Sequence, residues 1–371
     1  MSVRIVRYED HHIPAVRRFN QRLAAGGSIW HFPEQSVSQW LPDTRDQEIV
    51  EHYYVAVEGD EIRGGYILKW QPFQVEGQIE KVSTLYLPLS EGVVNSKYNL
   101  LGLVLIRDAL TRNPLTFCLG MGGSHRDLPK TLKMMGWQVH DIPFFFLPLR
   151  ARPFLRNLQP VKAKRWLNIA AQIAANTGIA SLGLACFHRL RRAPRQVQQT
   201  TTWELVESFG PWADELWAKA CHDYSLFASR GQEEQNRLYA PGAQKSIRVL
   251  VREAGRVIGW FIARASPMHN HKYFGNMCVG SIIDAIAEPG QEGHIAWAAR
   301  QFLIQQQADI IVANMQHESW RRALLKVGFL SGPSNFTLAT SPKLSQRLNP
   351  YPEKIGRAQF MRGDGEGPSH L

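Results

Sequence analysis

Apolar positions along the chain follow two periods, and the order in which the periods appear occurs twice. The run VRIVRY (3–8) alternates. Ile13, Val16, Phe19 and Leu23 then recur at three- and four-residue spacing, which predicts a helix. YYVAVEGDEIRGGYILKW (53–70) predicts a β-hairpin with its turn at Glu58–Asp60. A strand at VSTLYLPL, an apolar helix at LLGLVLIRDALT and a buried strand at PLTFCLGMGG follow, and QVHDIPFFFLPL (138–149) is expected to close the unit as one strand. The second half repeats the order. TTWELVES opens it, PWADELWAKACHDY is a helix, and IRVLVREAGRVIGWFIARA (247–265) is a hairpin turning at Glu253–Gly255. GSIIDAIAE, HIAWAARQFLIQQQ and ADIIVANM read as strand, helix and strand, and NFTLATS as the last strand.

The repeat also holds residue by residue. SHRDLPKTLKMMGW (124–137) and QHESWRRALLKVGF (316–329) align without a gap, 192 positions apart. His125 falls on His317, Leu132 on Leu324, Gly136 on Gly328 and Trp137 on Phe329. The hairpins align at 195, with Gly64 on Gly259 and Ile62 on Val257. Two nearly equal offsets over the same ordered elements imply a duplicated α/β (α+β) domain, each copy a mixed, mostly antiparallel sheet flanked by helices. The expected boundaries are 1–148 and 200–342, with a basic helical linker at 149–199 and a tail at 343–371.

Length and composition fit this picture. The chain has 371 residues, 44% hydrophobic and 20% charged, as expected for two ordinary globular domains. Its net charge of +11 is concentrated. No Asp or Glu occurs from Ile142 to Trp203, where ten Lys and Arg residues lie, so the two globular portions are close to neutral. DNA binding, which needs a basic footprint on the fold itself, is therefore not expected. Cys118, Cys186, Cys221 and Cys278 are far apart, with neither metal-ligand nor disulfide-framework spacing. No metal is expected, and His269 and His271, two apart in a loop, lack a third ligand. The charged opening MSVRIVRYEDHH is unlike a secretion signal, so the expected place is the cytoplasm.

VREAGRVIGWFIARA resembles the central hairpin of the GNAT acyltransferases, and SWRRALLKVGF resembles their late helix with its Gly-aromatic exit. VEGDEIRGGYIL and LPKTLKMMGW are looser versions in the first half. The resemblance spans roughly 1–148 and 200–342. Tandem GNAT-like proteins include enzymes that acylate amines, some acting in surface-polysaccharide synthesis, and the related Fem-type aminoacyl transferases. The resemblance implies an N-acyltransferase that moves an acyl group, typically acetyl, directly from acyl-CoA to an amine such as an amino sugar. In such folds the sheet splits, an acyl-pantetheine adds to the exposed strand edge, and the pyrophosphate sits at the N-terminus of the following helix.

In this chain that helix entry is AEPGQEGHIAWAARQFL. Ala285, Ala287, Gly290, Gln291, Gly293 and His294 are the candidate cofactor-binding residues. The family spacing of Gln, two residues, then Gly is shortened by one here, and Glu292 brings a negative charge to the loop. The first half, PLSEGVVNSKYNLLGLVL, departs further, and its domain is expected to be degenerate. The family's tyrosine acid is replaced by Leu132 and Leu324. Asp284, inside an apolar strand, is the candidate catalytic base if buried, and a solvent-facing strand residue otherwise. Asn314, at a strand end, either positions pantetheine or acceptor or is a turn residue. His125 and His317 share a helix-entry position or a catalytic one.

The linker leaves three readings open. It carries no charge between Trp166 and Phe187, and Asn168, Gln172 and Asn176 form a polar stripe. It braces the domains, or lies on an anionic membrane surface through 150–195, or contacts tRNA phosphates as a Fem-like enzyme would. A membrane contact would place the protein on the inner face of the cytoplasmic membrane. It would also suit the rival reading, a non-catalytic GNAT-derived scaffold.

Overall fold

The computed structural model describes residues 3–38, 40–41, 47–157, 179–190, 194–240 and 246–365. In chain order the elements are β1 (Arg4–Arg7), α1 (Ile13–Ala25), β2 (Val50–Glu58), β3 (Glu61–Val75), β4 (Gln78–Ser90), α2 (Leu101–Arg112), β5 (Thr116–Leu119), α3 (Asp127–Met134), β6 (Gln138–Asp141) and β7 (Phe144–Pro148). Then come α4 (Ala151–Asn157), α5 (Ile179–Leu190), α6 (Arg195–Thr200), β8 (Thr201–Leu205), α7 (Trp212–Ala220), β9 (Leu226–Ala228), α8 (Gln232–Leu238), β10 (Ile247–Glu253), β11 (Arg256–Pro267) and β12 (Cys278–Ala287). The chain continues through α9 (Glu292–Gln305), β13 (Ile310–Asn314), α10 (Glu318–Lys326), β14 (Leu330–Gly332), β15 (Thr337–Thr340), α11 (Pro342–Arg347) and α12 (Tyr351–Gly356).

The described residues form two compact units, each a mixed sheet flanked by helices. One comprises 1–141, 226–229 and 337–355, the other 142–225, 230–336 and 356–371. The first sheet runs β1-β2-β3-β4-β5-β15-β6, with β9 on β3, and the second runs β14-β7-β13-β12-β11-β10-β8. All pairings are antiparallel except β4 with β5 and β12 with β13. Both hairpins turn where expected. Glu253 pairs with Arg256 across Ala254 and Gly255, both at positive φ, which matches the twist of the flanking strands.

The strand expectation at 138–149 changes. Residues 138–149 are not a single strand. Pro143 has no N–H for a ladder and restricts Ile142 before it, so the run breaks into β6 in the first sheet and β7 in the second. NFTLATS mirrors this: β15 lies between β5 and β6 in the first sheet, as β7 lies between β13 and β14 in the second. Residues 343–365, read as a tail, carry α11, α12 and a buried 3-10 turn at Arg362–Asp364.

The repeated helix ends behave alike. Gly136 and Gly328 adopt left-handed φ of 84° and 101°, open to glycine at no steric cost. The next residue's N–H then reaches back five positions, Trp137 to the Leu132 carbonyl at 3.1 Å and Phe329 to Leu324 at 3.0 Å. That brings both aromatics into the core, where Trp137 packs with Leu132, Leu105 and Cys118. The helix entries differ. His317 caps α10, its Nδ1 accepting from Ser319 N–H at 3.3 Å. His125 lies before α3, whose N-cap residue is Arg126.

Candidate functional site

In the second unit, β12 and β13 part company. Their parallel pairing runs from Val279 with Ile310 to Ile282 with Ala313. β12 then continues through Ile283, Asp284, Ala285, Ile286 and Ala287, paired only with β11. Against β11, Ile262 pairs with Asp284 and Ala263 with Ile282, so Ile283 is an inserted residue, a bulge that bends the strand. Among the described residues the result is a strand edge without a strand partner, leading straight into α9.

The six candidate cofactor residues fall along this path. Ala285 and Ala287 are buried on β12. Gly290 turns the chain at φ 84°, and Gln291 precedes the first turn of α9 with no side-chain cap bond. Gly293 has open space where a side chain would project. His294 is not turned outward. Its Nδ1 lies 2.7 Å from Thr201 Oγ1 and its Nε2 3.5 Å from Glu253, and burial lowers its pKa, which favours the neutral ring. Glu292 is buried. The nearby Glu288 is held by Lys219 at 2.9 Å and by Arg256, which keep its carboxyl ionised.

Asn314 is buried at the end of β13. Its Nδ2 donates to the Pro143 carbonyl at 3.4 Å, and its Oδ1 has no hydrogen-bond partner among the described residues. By register it continues the face of Val312, which lies opposite Ser281 on β12, and the Ser281 hydroxyl is likewise buried without a partner among the described residues.

Asp284 is buried, but it is not a base open to an acceptor. Oδ1 accepts from Arg230 Nε at 2.9 Å and from the Ala285 N–H at 2.8 Å, and Oδ2 from the Tyr239 hydroxyl at 3.0 Å. Arg230 also donates to Asp364 Oδ1 at 2.8 Å. Asp284 and Asp364 are each 2% exposed and Arg230 1%. The C-terminal turn closes over the carboxylate so tightly that a methyl group on Gly363 would lie 2.2 Å from Tyr239 Oη. Burial raises the Asp284 pKa to about 6, against the pull of Arg230 and with Asp364 adding to the rise. A carboxylate buried in this apolar strand needs a counter-charge. Nothing local identifies it as Arg230, 54 positions upstream, or couples it to the RGD sequence near the end.

The corresponding turn of the first unit is closed. After β4, Glu91 is buried, and both Arg22 and Arg63 reach its Oε2 at 3.1 Å. Glu61, Glu58 and Tyr98 complete the network. A carboxylate thus occupies the attention of both guanidiniums near the start of α2.

Of the basic linker, 158–178 and 191–193, including the Asn168–Gln172–Asn176 stripe, lie outside the described residues. α5 is tied to the second unit by His188, whose Nε2 lies 3.0 Å from the Pro148 carbonyl and Nδ1 3.3 Å from Arg300. Among the described residues no helix is long and apolar enough to cross a membrane, and no cluster has the makings of a metal site. His271 uses its Nδ1 to accept from the N–H groups of Tyr273 and Phe274.

No protein-family model matches the chain, and no curated protein matches it significantly in sequence. Solved structures do match in fold. A conserved protein from Enterococcus faecalis V583, described as a "Probable N-Acyltransferase", superposes with a TM-score of 0.52 at 8% identity, over 94% of this chain and 74% of that one. N-myristoyltransferase of Saccharomyces cerevisiae with bound myristoyl-CoA gives 0.50 at 11% identity, over 92% and 78%. Both likenesses extend over nearly the whole chain, and they show that it shares the fold of these two structures.

Proposed function

We propose that the protein is an N-acyltransferase that takes its acyl group from an acyl-CoA and passes it directly to an amine. The observation that carries this reading is the fork in the second unit. β12 runs five residues past its last pair with β13, and its free edge ends at a helix start whose Gly293 stands open. A pantetheine amide chain adds to such an edge as an extra strand, and the first N–H groups of α9 face a pyrophosphate. The fold likeness to an enzyme with bound myristoyl-CoA supports it.

Ala285 and Ala287 lie along the donor, Gly290, Gln291 and Gly293 cradle its phosphates, and His294 braces the loop through Thr201. Lys219 and Arg256 offset Glu288, leaving Glu292 as the charge a diphosphate has to tolerate. Asn314, whose Oδ1 has a lone pair to offer, positions the acceptor amine. Asp284, which the sequence offers as the base, serves as the buried anchor of the bulge. The acceptor then loses its proton to solvent, since acyl transfer from a thioester needs a free amine but not a covalent intermediate. An amino-sugar acceptor rests on the family resemblance alone.

Calorimetry with acetyl-CoA and with a long-chain acyl-CoA tests the proposal. Binding of either that Gly293→Glu abolishes supports it; no binding of either at millimolar concentration rejects it. The second outcome would favour a GNAT-derived scaffold or an aminoacyl-tRNA-dependent enzyme. The acid-free span 142–203 keeps an anionic partner, membrane or tRNA, in view for both.

A further inference from the structure

One face of the second sheet gathers buried polar atoms that pair with nothing among the described residues. Gly280 points to α9, where a methyl group on it would meet Leu303 at 3.1 Å. Alternation therefore turns Val279 and Ser281 to the opposite face. Register sets Ser266 of β11 beside Val279, and Val312 of β13 beside Ser281. Asn314, two positions past Val312, shares that face. Ser281 is 0% exposed and Asn314 1%. Among the described residues the hydroxyls of Ser266 and Ser281 and the Oδ1 of Asn314 have no hydrogen-bond partner. The three residues lie on a diagonal across adjacent strands that ends at the fork. Strand spacing and rise put Ser281 and Asn314 about 8 Å apart.

A buried polar atom left unpaired costs stability, and protein interiors normally avoid it. A diagonal of them, on strands rich in Val, Ile and Ala, is a local departure of the kind that a binding site imposes. Its flank is apolar. Val279, Ile310 and Val312 pack against Phe144, Phe146 and Phe154. These three rings are near-parallel, with successive centroids 6.0 and 6.3 Å apart, and each is half-buried. Phe144, which ends the stack, is the register partner of Asn314 on one side and of Gly332 on the other. An apolar wall beside a few placed polar groups is the make-up of a small-molecule pocket.

We propose that this face receives the acceptor, and that Ser281 acts with Asn314 to select an amine whose carrier has hydrogen-bonding groups of its own over an apolar amine. The inference rests on the acyl-transfer reading and deepens it. The Ser281 hydroxyl bonds a polar group on the carrier, the Asn314 Oδ1 accepts from the amine N–H, and the phenylalanine wall takes the carrier's apolar side. An apolar amine in the same space leaves the Ser281 hydroxyl unpaired, and that penalty discriminates. The transfer itself balances in the usual way. The amine lone pair forms the C–N bond at the thioester carbon, the C–S bond breaks, sulfur leaves with its electron pair as the CoA thiolate, and the amine's proton passes to solvent.

Thiol release by the full chain tests the proposal, with whichever acyl-CoA it binds, acetyl or long-chain. The acceptors are two pairs of similar size: glucosamine against cyclohexylamine, and glycinamide against butylamine. A polar member should be used about tenfold better or more by kcat/KM. Ser281→Ala should raise that amine's KM by about tenfold, leaving its apolar counterpart and the calorimetric Kd for acyl-CoA unchanged. Equal or better use of the apolar amines overturns the proposal. So does a preference that survives in Ser281→Ala, or turnover of none of the four by a protein that binds the donor. Absence of acyl-CoA binding rejects the donor reading and takes this inference with it, whereas the other outcomes reject the inference alone. Melting temperature gives an independent arm. A hydroxyl without a partner adds nothing to the free protein, so Ser281→Ala should melt no lower than the unaltered chain. A clearly lower melting temperature shows that the hydroxyl is already bonded within the fold, and overturns the proposal.

Discussion

Arg230 Nη2 stands 2.8 Å from Asp364 Oδ1 across 134 positions of sequence, and both side chains are closed to solvent. Through this pair the end of the chain becomes part of the second unit's core. Arg230→Met should leave two buried carboxylates without their counter-charge. The expected loss is about 3–5 kcal/mol, greater at pH 8 than at pH 5, where the carboxylates can neutralise themselves. Urea unfolding at the two pH values measures it.

Gly363 is expected to be irreplaceable for a steric reason. Its Cβ position is 2.2 Å from Tyr239 Oη and 3.3 Å from Asp284 Oδ2. Gly363→Ala should cost roughly 1–3 kcal/mol as an overpacking change. Tyr239→Phe removes the atom that is struck, so the double variant should be more stable than the sum of the two single losses implies. A strictly additive cycle would show that the turn relaxes elsewhere.

The two repeated histidines should separate cleanly. His317→Ala removes the cap of α10 and should cost about 1 kcal/mol, whereas His125→Ala should stay within roughly 0.5 kcal/mol of neutral. Burial pushes the His317 pKa down to about 4. Between the ordinary histidine range and about 4, the unfolded chain takes up a proton that the folded one refuses. Stability from this group is therefore present above pH 6.5 and is lost as pH falls towards 4. Thermal melts of the unaltered protein and His317→Ala across that window should show the steeper fall in the former.

Glu91→Ala should destabilise the first unit by about 3–5 kcal/mol, because Arg22 and Arg63 lose the buried carboxylate they share. If the donor binds in the second unit, its affinity for acyl-CoA should not change. Stability and binding measured on the same sample distinguish this from a donor site at α2.

Local signals in the sequence carry local structure well. The acidic turns gave the hairpins, and the Gly-aromatic pairs at 136–137 and 328–329 gave the helix ends, because backbone sterics alone demand them. An aspartate amid Ile283, Ala285 and Ile286 leaves two readings open, a buried carboxylate or a solvent-facing strand residue, and the fold selects the first. The rest depends on partners that periodicity does not encode. Apolar alternation in 138–149 fits either sheet, and Pro143 marks only that the run must break. Arg230 and Asp364 look like loop and tail residues until the fold brings them to Asp284. The helix entry at 289–296 is recognisable by its glycines as a strand-to-helix turn, but the turning of His294 towards Thr201 is not, since Thr201 is 93 positions away.

The most direct test of the central claim is amide exchange in the full chain with and without a saturating acyl-CoA. The account predicts slowed exchange at 283–295, the free edge of β12 and the first turn of α9, with 85–102 in the first unit unchanged. Slowing at 85–102 instead, or at neither segment while the ligand is demonstrably bound, would contradict it.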